Sequence, residues 1–370
     1  MSEHWRRTPG GRTRARGLGL PFGGRPGPFN AITDVAGVEV GYSTIIRGEG
    51  PLVVGEGPVR TGVTAILPRG RDNVSTPCAA GHYALNGNGE LTGTIWIDES
   101  GVLETPVTIT NTFSCGVARD ATLRWLFPRL GGSGMLWGLP VAGETFDGEL
   151  NDIQGFHVRD EHVLEALDGA RGGAIEQGSV GGGTGMICYD FKGGNGSSSR
   201  VVGIDGVDYT VGVFVQSNFG QRHECTLFGA PVGKHIGHDL LRGRPAGSII
   251  AVVATDAPLV GHQLKKLARR VPLGMARTGA IGHDSSGDIF LAFSTANEGA
   301  FAPGAGALRR LDMLANDELD PLYEAVIEAT EEAIVDSMVA NEAMTGRDGN
   351  RSIALPHDVL LAALRAHRVL

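Results

Sequence analysis

The chain has 370 residues, 20% of them charged and 41% hydrophobic, and a formal net charge of -9 at neutral pH. That balance excludes a disordered chain, and the acidic sign argues against a general nucleic-acid or anionic-membrane surface. No apolar run reaches the roughly 18 residues of a transmembrane helix, and the four cysteines, Cys78, Cys115, Cys188 and Cys225, form no CxxC pair. Reduced thiols in a cytoplasmic protein are the simplest reading.

Residues 1–28 are rich in Arg, Gly and Pro. Arg6, Arg7, Arg12, Arg14 and Arg16 make them locally basic, but they lack the apolar centre of a secretory signal. They read as a flexible arm ahead of a single domain at 29–370. The Gly37-Val38-Glu39-Val40-Gly41 alternation predicts a strand, and residues 61–68 predict a second, stopped by Pro68. Residues 91–97 and 107–110 predict two more. Residues 112–126 predict a helix that turns Val117, Ala118, Ala121, Leu123 and Trp125 to a core, with Pro128 near its end.

Residues 141–148 read as a loop after the glycines of 131–134. Residues 161–170 read as a short helix, and the glycine-dense runs at 178–185 and 192–200 as a hairpin region. A strong strand follows at 209–218, then a poorly structured connector over 221–247. The β-branched run from Ser248 to Thr255 predicts a buried strand. After it, Thr255 or Asp256 is expected to cap a helix with Pro258 in its first turn, and Leu259, Val260, Leu264, Leu267, Ala268 and Val271 on its apolar face. Residues 289–294 predict a strand. Asp320-Pro321 opens a long helix running to about Ala343, with Leu322, Val326, Ala329 and Ala333 at helical spacing. Many strands bracketed by a few helices indicate sheets packed together and covered by helices, an α+β fold.

The chemistry concentrates at the entry to the strand at Ser248. Gly247 has no Cβ, so it can hold a strained backbone and leave its carbonyl open to attack. Ser248 Oγ is placed to attack that carbonyl, shift the acyl group from nitrogen to oxygen and lose it to water. The second chain, 248–370, then begins with a serine. Its hydroxyl is a nucleophile and its α-amine, with a reference pKa of about 7.7–8.0, a base. The Ser285-Ser286-Gly287-Asp288 loop offers a hydroxyl and a carboxylate two residues apart, able to relay a proton. Asn218, at a strand end, carries the amide donor an oxyanion site needs. Glu144, in the 141–148 loop, can hold a substrate α-ammonium. The glycines at 181–185 do not spell GxxxxGK[ST], which argues against nucleotide binding. His235 and His238 lack the spacing and further ligands of a metal site, and His283 stands out only for its closeness to Ser286. No metal and no cofactor is expected.

Six ordered motifs then carry a resemblance: NAITDVAGVEVG from Asn30, TGVTAIL from Thr61, GTGMICYDFKGGNGSSSR from Gly183, VQSNFG from Val215, PAGSIIAVVATDAPL from Pro245 and GHDSSGDIFLAFSTAN from Gly282. The chain resembles the L-aminopeptidase/D-esterase family of self-processing serine hydrolases, peptidase family S58, which includes the β-aminopeptidases. The resemblance implies an αββα sandwich akin to the N-terminal-nucleophile hydrolases. It implies cleavage at Gly247–Ser248 into an α chain (1–247) and a β chain (248–370) that stay together, and homotetramers of such αβ units. It makes Ser248 the nucleophile, Ser286 and Asp288 its relay, Asn218 the oxyanion residue and Glu144 the anchor of the substrate amine. The relay acid is Asp where β-peptide-cleaving relatives carry Glu, and Phe146 stands where relatives carry Tyr. The substrates implied are small peptides and amino-acid amides or esters. Two other readings stay open: a self-cleaving acyltransferase of the ornithine-acetyltransferase type, whose nucleophile is typically Thr, and an uncleaved binding protein.

Overall fold

Strands form where β-branched runs alternate their faces. In chain order they are β1 (Glu39–Arg47), β2 (Val59–Leu67), β3 (Cys78–Ala84), β4 (Val102–Leu103), β5 (Val107–Asn111), β6 (Val141–Thr145), the small hairpin β7 (Ile187–Cys188) and β8 (Phe191–Lys192), then β9 (Gly194–Ile204), β10 (Val207–Asn218), β11 (Ser248–Thr255) and β12 (Gly287–Ser294), and a last short pair, β13 (Met344–Thr345) and β14 (Arg351–Ser352). The helices are α1 (Thr94–Ser100), α2 (Cys115–Leu130), α3 (Asp160–Asp168), α4 (Gly261–Ala268), α5 (Val271–Arg277), α6 (Asp320–Val339) and α7 (His357–Ala366). The structure is a computed structural model that describes residues 2–131, 136–242, 247–302, 304 and 306–370.

Two sheets face each other. One has the order β1-β2-β5-β6 and the other β4-β3-β12-β11-β10-β9. Alternation along each strand divides its side chains between two cores. Ile250 and Val252 of β11, Phe214 of β10 and Phe293 of β12 meet Ile66, Ile109 and Val141 of the smaller sheet between the layers. Ile249, Ala251 and Val253 point the other way, onto Leu264, Leu267, Val271, Val326, Ala333 and Leu360 of the helices α4 to α7. The outer face of the smaller sheet is covered by α2 and α3 through Ala118, Trp125, Val163 and Leu167. This is the expected αββα sandwich.

The topology gathers one end of the sheets. β11 and β12 are parallel, with Ser248 opposite Gly287, and the crossover between them is α4 and α5. β10 is antiparallel to β11, so its last residue, Asn218, lies opposite Ser248. In the smaller sheet β5 and β6 are parallel, with Thr110 opposite Glu144.

Several local expectations change. Residues 91–97 do not form a strand: Gly93, at φ 76°, turns the chain into α1, and Ile95 faces solvent. Residues 141–145 are a buried strand rather than a loop, because β6 completes the smaller sheet against β5. The glycine-dense 192–200 run is mostly the long strand β9, where a Cβ on Gly196 would stand 1.8 Å from the Ala333 carbonyl of α6. Neither Thr255 nor Asp256 caps a helix. Asp256 accepts from the Thr210 amide, Thr255 Oγ from Ala257, and the expected helix divides into α4 and α5. Asp288 lies on β12, not in the preceding loop. The connector at 221–242 is packed, with Arg222, Cys225, Leu227, Val232 and Ile236 buried, whereas residues 243–246 lie outside the described residues, as do 132–135.

The N-terminal segment is also not a loose arm. Arg14 is buried on α6, its guanidinium 2.7 Å from Asp336, and Arg16 lies 2.7 Å from Glu332. Two of the arginines of the expected flexible arm thus match buried acids of α6. All four cysteines are buried free thiols, and among the described residues no helix is long and apolar enough to cross a membrane.

Candidate active site

Ser248 is the first residue of β11 and is 5% exposed. Its Oγ donates to the Gly247 carbonyl at 2.8 Å and accepts from the Gly287 amide at 3.2 Å. The parallel register causes the second contact, since it sets Gly287 beside Ser248. Gly287 must itself be glycine. A Cβ there would stand 2.4 Å from the Asn88 carbonyl.

Gly247 has φ 134°, a conformation that side chains oppose. Its preceding residues, Gly243 to Ala246, fall outside the described residues.

Ser286 and Asp288 flank Gly287. Ser286 Oγ donates to Asp288 Oδ1 at 2.6 Å, and Asn86 Nδ2 donates to Asp288 Oδ2 at 2.9 Å. Burial pushes the Asp288 carboxyl above the ordinary carboxylate range, against these donors and His283, which lower it. His283 takes part through its backbone: its carbonyl accepts from Ser286 N and from Asn86 Nδ2, while its ring pairs with Glu224 at 2.8 Å.

Asn218 is fully buried. Its Nδ2 donates to the Phe146 carbonyl at 2.7 Å, while Oδ1 accepts from Ile187 N and from Arg242 Nη2, both at 2.8 Å. Phe146 meets the site through its main chain, and its ring is half exposed.

Glu144 is buried on β6, not solvated in a loop. Oε1 accepts from the Glu90 amide at 2.9 Å, and Oε2 accepts from the Thr112 hydroxyl. The carboxylate lies near the start of β12, beside Ser248: the position of a Cβ on Gly89 is 3.1 Å from both Glu144 Oε1 and Gly287 Cα. Desolvation pushes its pKa up, and the two hydrogen bonds pull against that.

Ser248, Ser286, Asp288, Asn218, Glu144 and the main chain of Phe146 therefore converge on one end of the two sheets. The sequence reading missed Gly287 N, Asn86, Thr112, Arg242 and the Phe146 carbonyl. Backbone donors have no side-chain signature. Arg242 lay in a stretch read as structureless. Asn86, in Asn86-Gly87-Asn88-Gly89, carried the signal of a tight turn but none of a carboxylate partner.

This arrangement places a hydroxyl against the carbonyl of the Gly247–Ser248 bond, with a hydroxyl–carboxylate pair, an amide and a second carboxylate around it. Comparison with known proteins points the same way. The family model described as "Peptidase family S58" matches residues 30–352. A beta-peptidyl aminopeptidase, BapA of Sphingosinicella microcystinivorans, is 50% identical over 371 residues, covering 96% of this chain and 92% of its own. The solved L-aminopeptidase D-Ala-esterase/amidase of Ochrobactrum anthropi, described as a variant of the Ntn hydrolase fold, has a TM-score of 0.92 at 46% identity and covers 96% of this chain and 99% of its own. A β-aminopeptidase of a Burkholderia species has a TM-score of 0.88 at 45% identity, over 96% of this chain and 99% of its own.

Proposed function

Because the chain belongs to peptidase family S58, and is on that ground a hydrolase of the aminopeptidase type, we propose that it cuts itself at Gly247–Ser248 and then uses Ser248 to release N-terminal residues from small peptides, amino-acid amides and esters. The observation that carries this reading is the position of Ser248 Oγ, 2.8 Å from the Gly247 carbonyl oxygen at the mouth of a buried strand.

In processing, the bond from Oγ to the Gly247 carbonyl carbon forms as the C–N bond to Ser248 breaks. The hydroxyl proton ends on the departing nitrogen, and water then splits the ester into the Gly247 carboxylate and a free Oγ. Asn218 stabilises the oxyanion. An amide nitrogen carries two hydrogens, and Phe146 takes one of them. Ser286 and Asp288 relay protons. The α-amine freed on Ser248 becomes the base near neutrality, as reference amine pKa values of about 7.7–8.0 allow.

In turnover the same Oγ attacks the substrate carbonyl, the amine or alcohol leaves, and water clears the acyl-enzyme. Glu144 receives the substrate α-ammonium by a charge-assisted bond, which makes the enzyme an exopeptidase. Phe146 lines the approach with an apolar ring, where the resembling family carries a hydroxyl.

The cut halves stay together for a topological reason. β11 and β12 of the β chain lie between β10 and β3 of the α chain in one sheet, so separation would strip two ladders of hydrogen bonds. The acyltransferase and binding-protein readings have no support among these relatives.

The test is intact mass of the purified wild type beside Ser248→Ala, followed by amino-acid p-nitroanilides and esters as substrates. The expected wild type is two fragments split at Gly247/Ser248 and active. The expected variant is one inert chain. A variant that still cuts at this bond, or an uncut wild type with full turnover, would overturn the proposal.

A further inference from the structure

We infer that Arg242 is a positioning residue for the oxyanion amide, and that Glu149 braces it. The inference rests on the reading of Asn218 as the oxyanion donor. Arg242 is buried, with 8% of its surface exposed. Nη2 donates to Asn218 Oδ1 at 2.8 Å, and Nη1 donates to the Ile187 carbonyl at 3.1 Å and the Asn218 carbonyl at 3.4 Å. Nε holds Glu149 Oε1 at 3.0 Å. One planar fork thus grips both the side chain and the backbone of Asn218.

Three consequences follow from that grip. An Asn amide can flip, exchanging its donor for its acceptor. With Arg242 and the Ile187 amide both donating to Oδ1, only the orientation that turns Nδ2 toward the Phe146 carbonyl satisfies every group. A cation on Oδ1 also polarises the amide and strengthens Nδ2–H as a donor. Finally, the positive charge lies one amide away from where the tetrahedral oxygen turns negative, where fixed charge in a dry site acts most strongly.

The placement of Arg242 in the chain adds to this. It lies on the α-chain side of the Gly247–Ser248 bond, and Asp190 Oδ1 accepts from the backbone amides of Leu241 and Arg242 at 3.1 and 2.9 Å. The grip on Asn218 is therefore anchored independently of the bond that is cut, and serves both processing and turnover.

The experiment compares Arg242→Met, Arg242→Lys, Glu149→Gln and Asn218→Ala, and the Asn218→Ala/Arg242→Met double variant, in the full chain. Self-cleavage is followed by intact mass, kcat and KM on an amino-acid p-nitroanilide, and folding by thermal melting. Loss of a whole oxyanion donor costs about 10²–10³ in kcat. Arg242→Met is expected to lower kcat and the cleavage rate about tenfold or more with KM changed less than about twofold, Arg242→Lys to recover part of the loss, and Glu149→Gln to lose a smaller factor. In the Asn218→Ala background, Arg242→Met is expected to cost little more. Equal losses in both backgrounds would overturn the inference while leaving Asn218 its role. Wild-type kcat in Asn218→Ala would overturn the oxyanion reading and this inference with it. If Arg242→Met does not fold, the Arg242→Lys and Glu149→Gln variants decide, and unchanged kcat in both would overturn the proposal.

Discussion

A Cβ built on Gly247 would stand 1.9 Å from the carbonyl oxygen of Asn218. The residue on the acyl side of the bond proposed to be cut is thus pressed against the backbone of the residue proposed to hold the oxyanion. Its φ of 134° is open to glycine and costly to other residues.

Gly247→Ala is therefore expected to stop self-cleavage without unfolding the chain. The new methyl group must displace either the Ser248 approach or the end of β10. Intact mass after prolonged incubation, with a thermal melt beside it, checks this. Cleavage within twofold of wild type would show that the close approach has no part in the reaction.

Glu144 gives a pH prediction. Its pKa is raised by burial, so the native carboxyl keeps its proton to higher pH than an ordinary carboxylate. A protonated carboxyl binds an ammonium poorly. KM for substrates with a free α-amine is expected to fall as pH rises through this shifted range and then level off. N-acylated esters should lack that trend, and Glu144→Gln should remove it and raise KM. Steady-state kinetics between pH 4 and 8 decide. An unchanged KM profile in Glu144→Gln would detach this residue from amine binding.

The buried pair Arg14–Asp336 gives a stability prediction. Removing one partner of a buried ion pair strands the other, a cost of about 3–5 kcal/mol. Arg14→Ala is expected to destabilise by that order in urea unfolding, because Asp336 is fully buried and Arg14 also donates to the Phe29, Asn30 and Ser197 carbonyls. A loss under about 0.5 kcal/mol, usual for surface substitutions, would mean that the segment is held by other contacts.

Much of this protein was legible in its sequence. The near-continuous apolar, β-branched runs at β10, β11 and β12 marked strands because each buries both faces in different layers. The Gly–Ser junction marked the proposed nucleophile because glycine and a hydroxyl at the start of a buried strand are a local chemical fact. Misread segments were those where a partner far along the chain overrides local propensity. Residues 141–145 are polar enough for a loop, yet β5 supplies their hydrogen bonds and buries Glu144. The basic N-terminus read as a flexible arm, but Asp336 and Glu332 of α6 hold its Arg14 and Arg16.

The sequence by itself determined which groups could react: Ser248, Ser286, Asp288, Asn218 and Glu144, each a side-chain chemistry written in the residue type. Only the tertiary structure decided that they meet. Parallel pairing of β11 with β12 sets the Gly287 amide on Ser248 Oγ, and antiparallel pairing with β10 brings Asn218 across from it. Those registers, and the Arg242 fork on the Asn218 amide, depend on hydrogen bonds between residues 24 to 39 positions apart. No local pattern encodes such pairings, because they are selected by the burial of whole sheets.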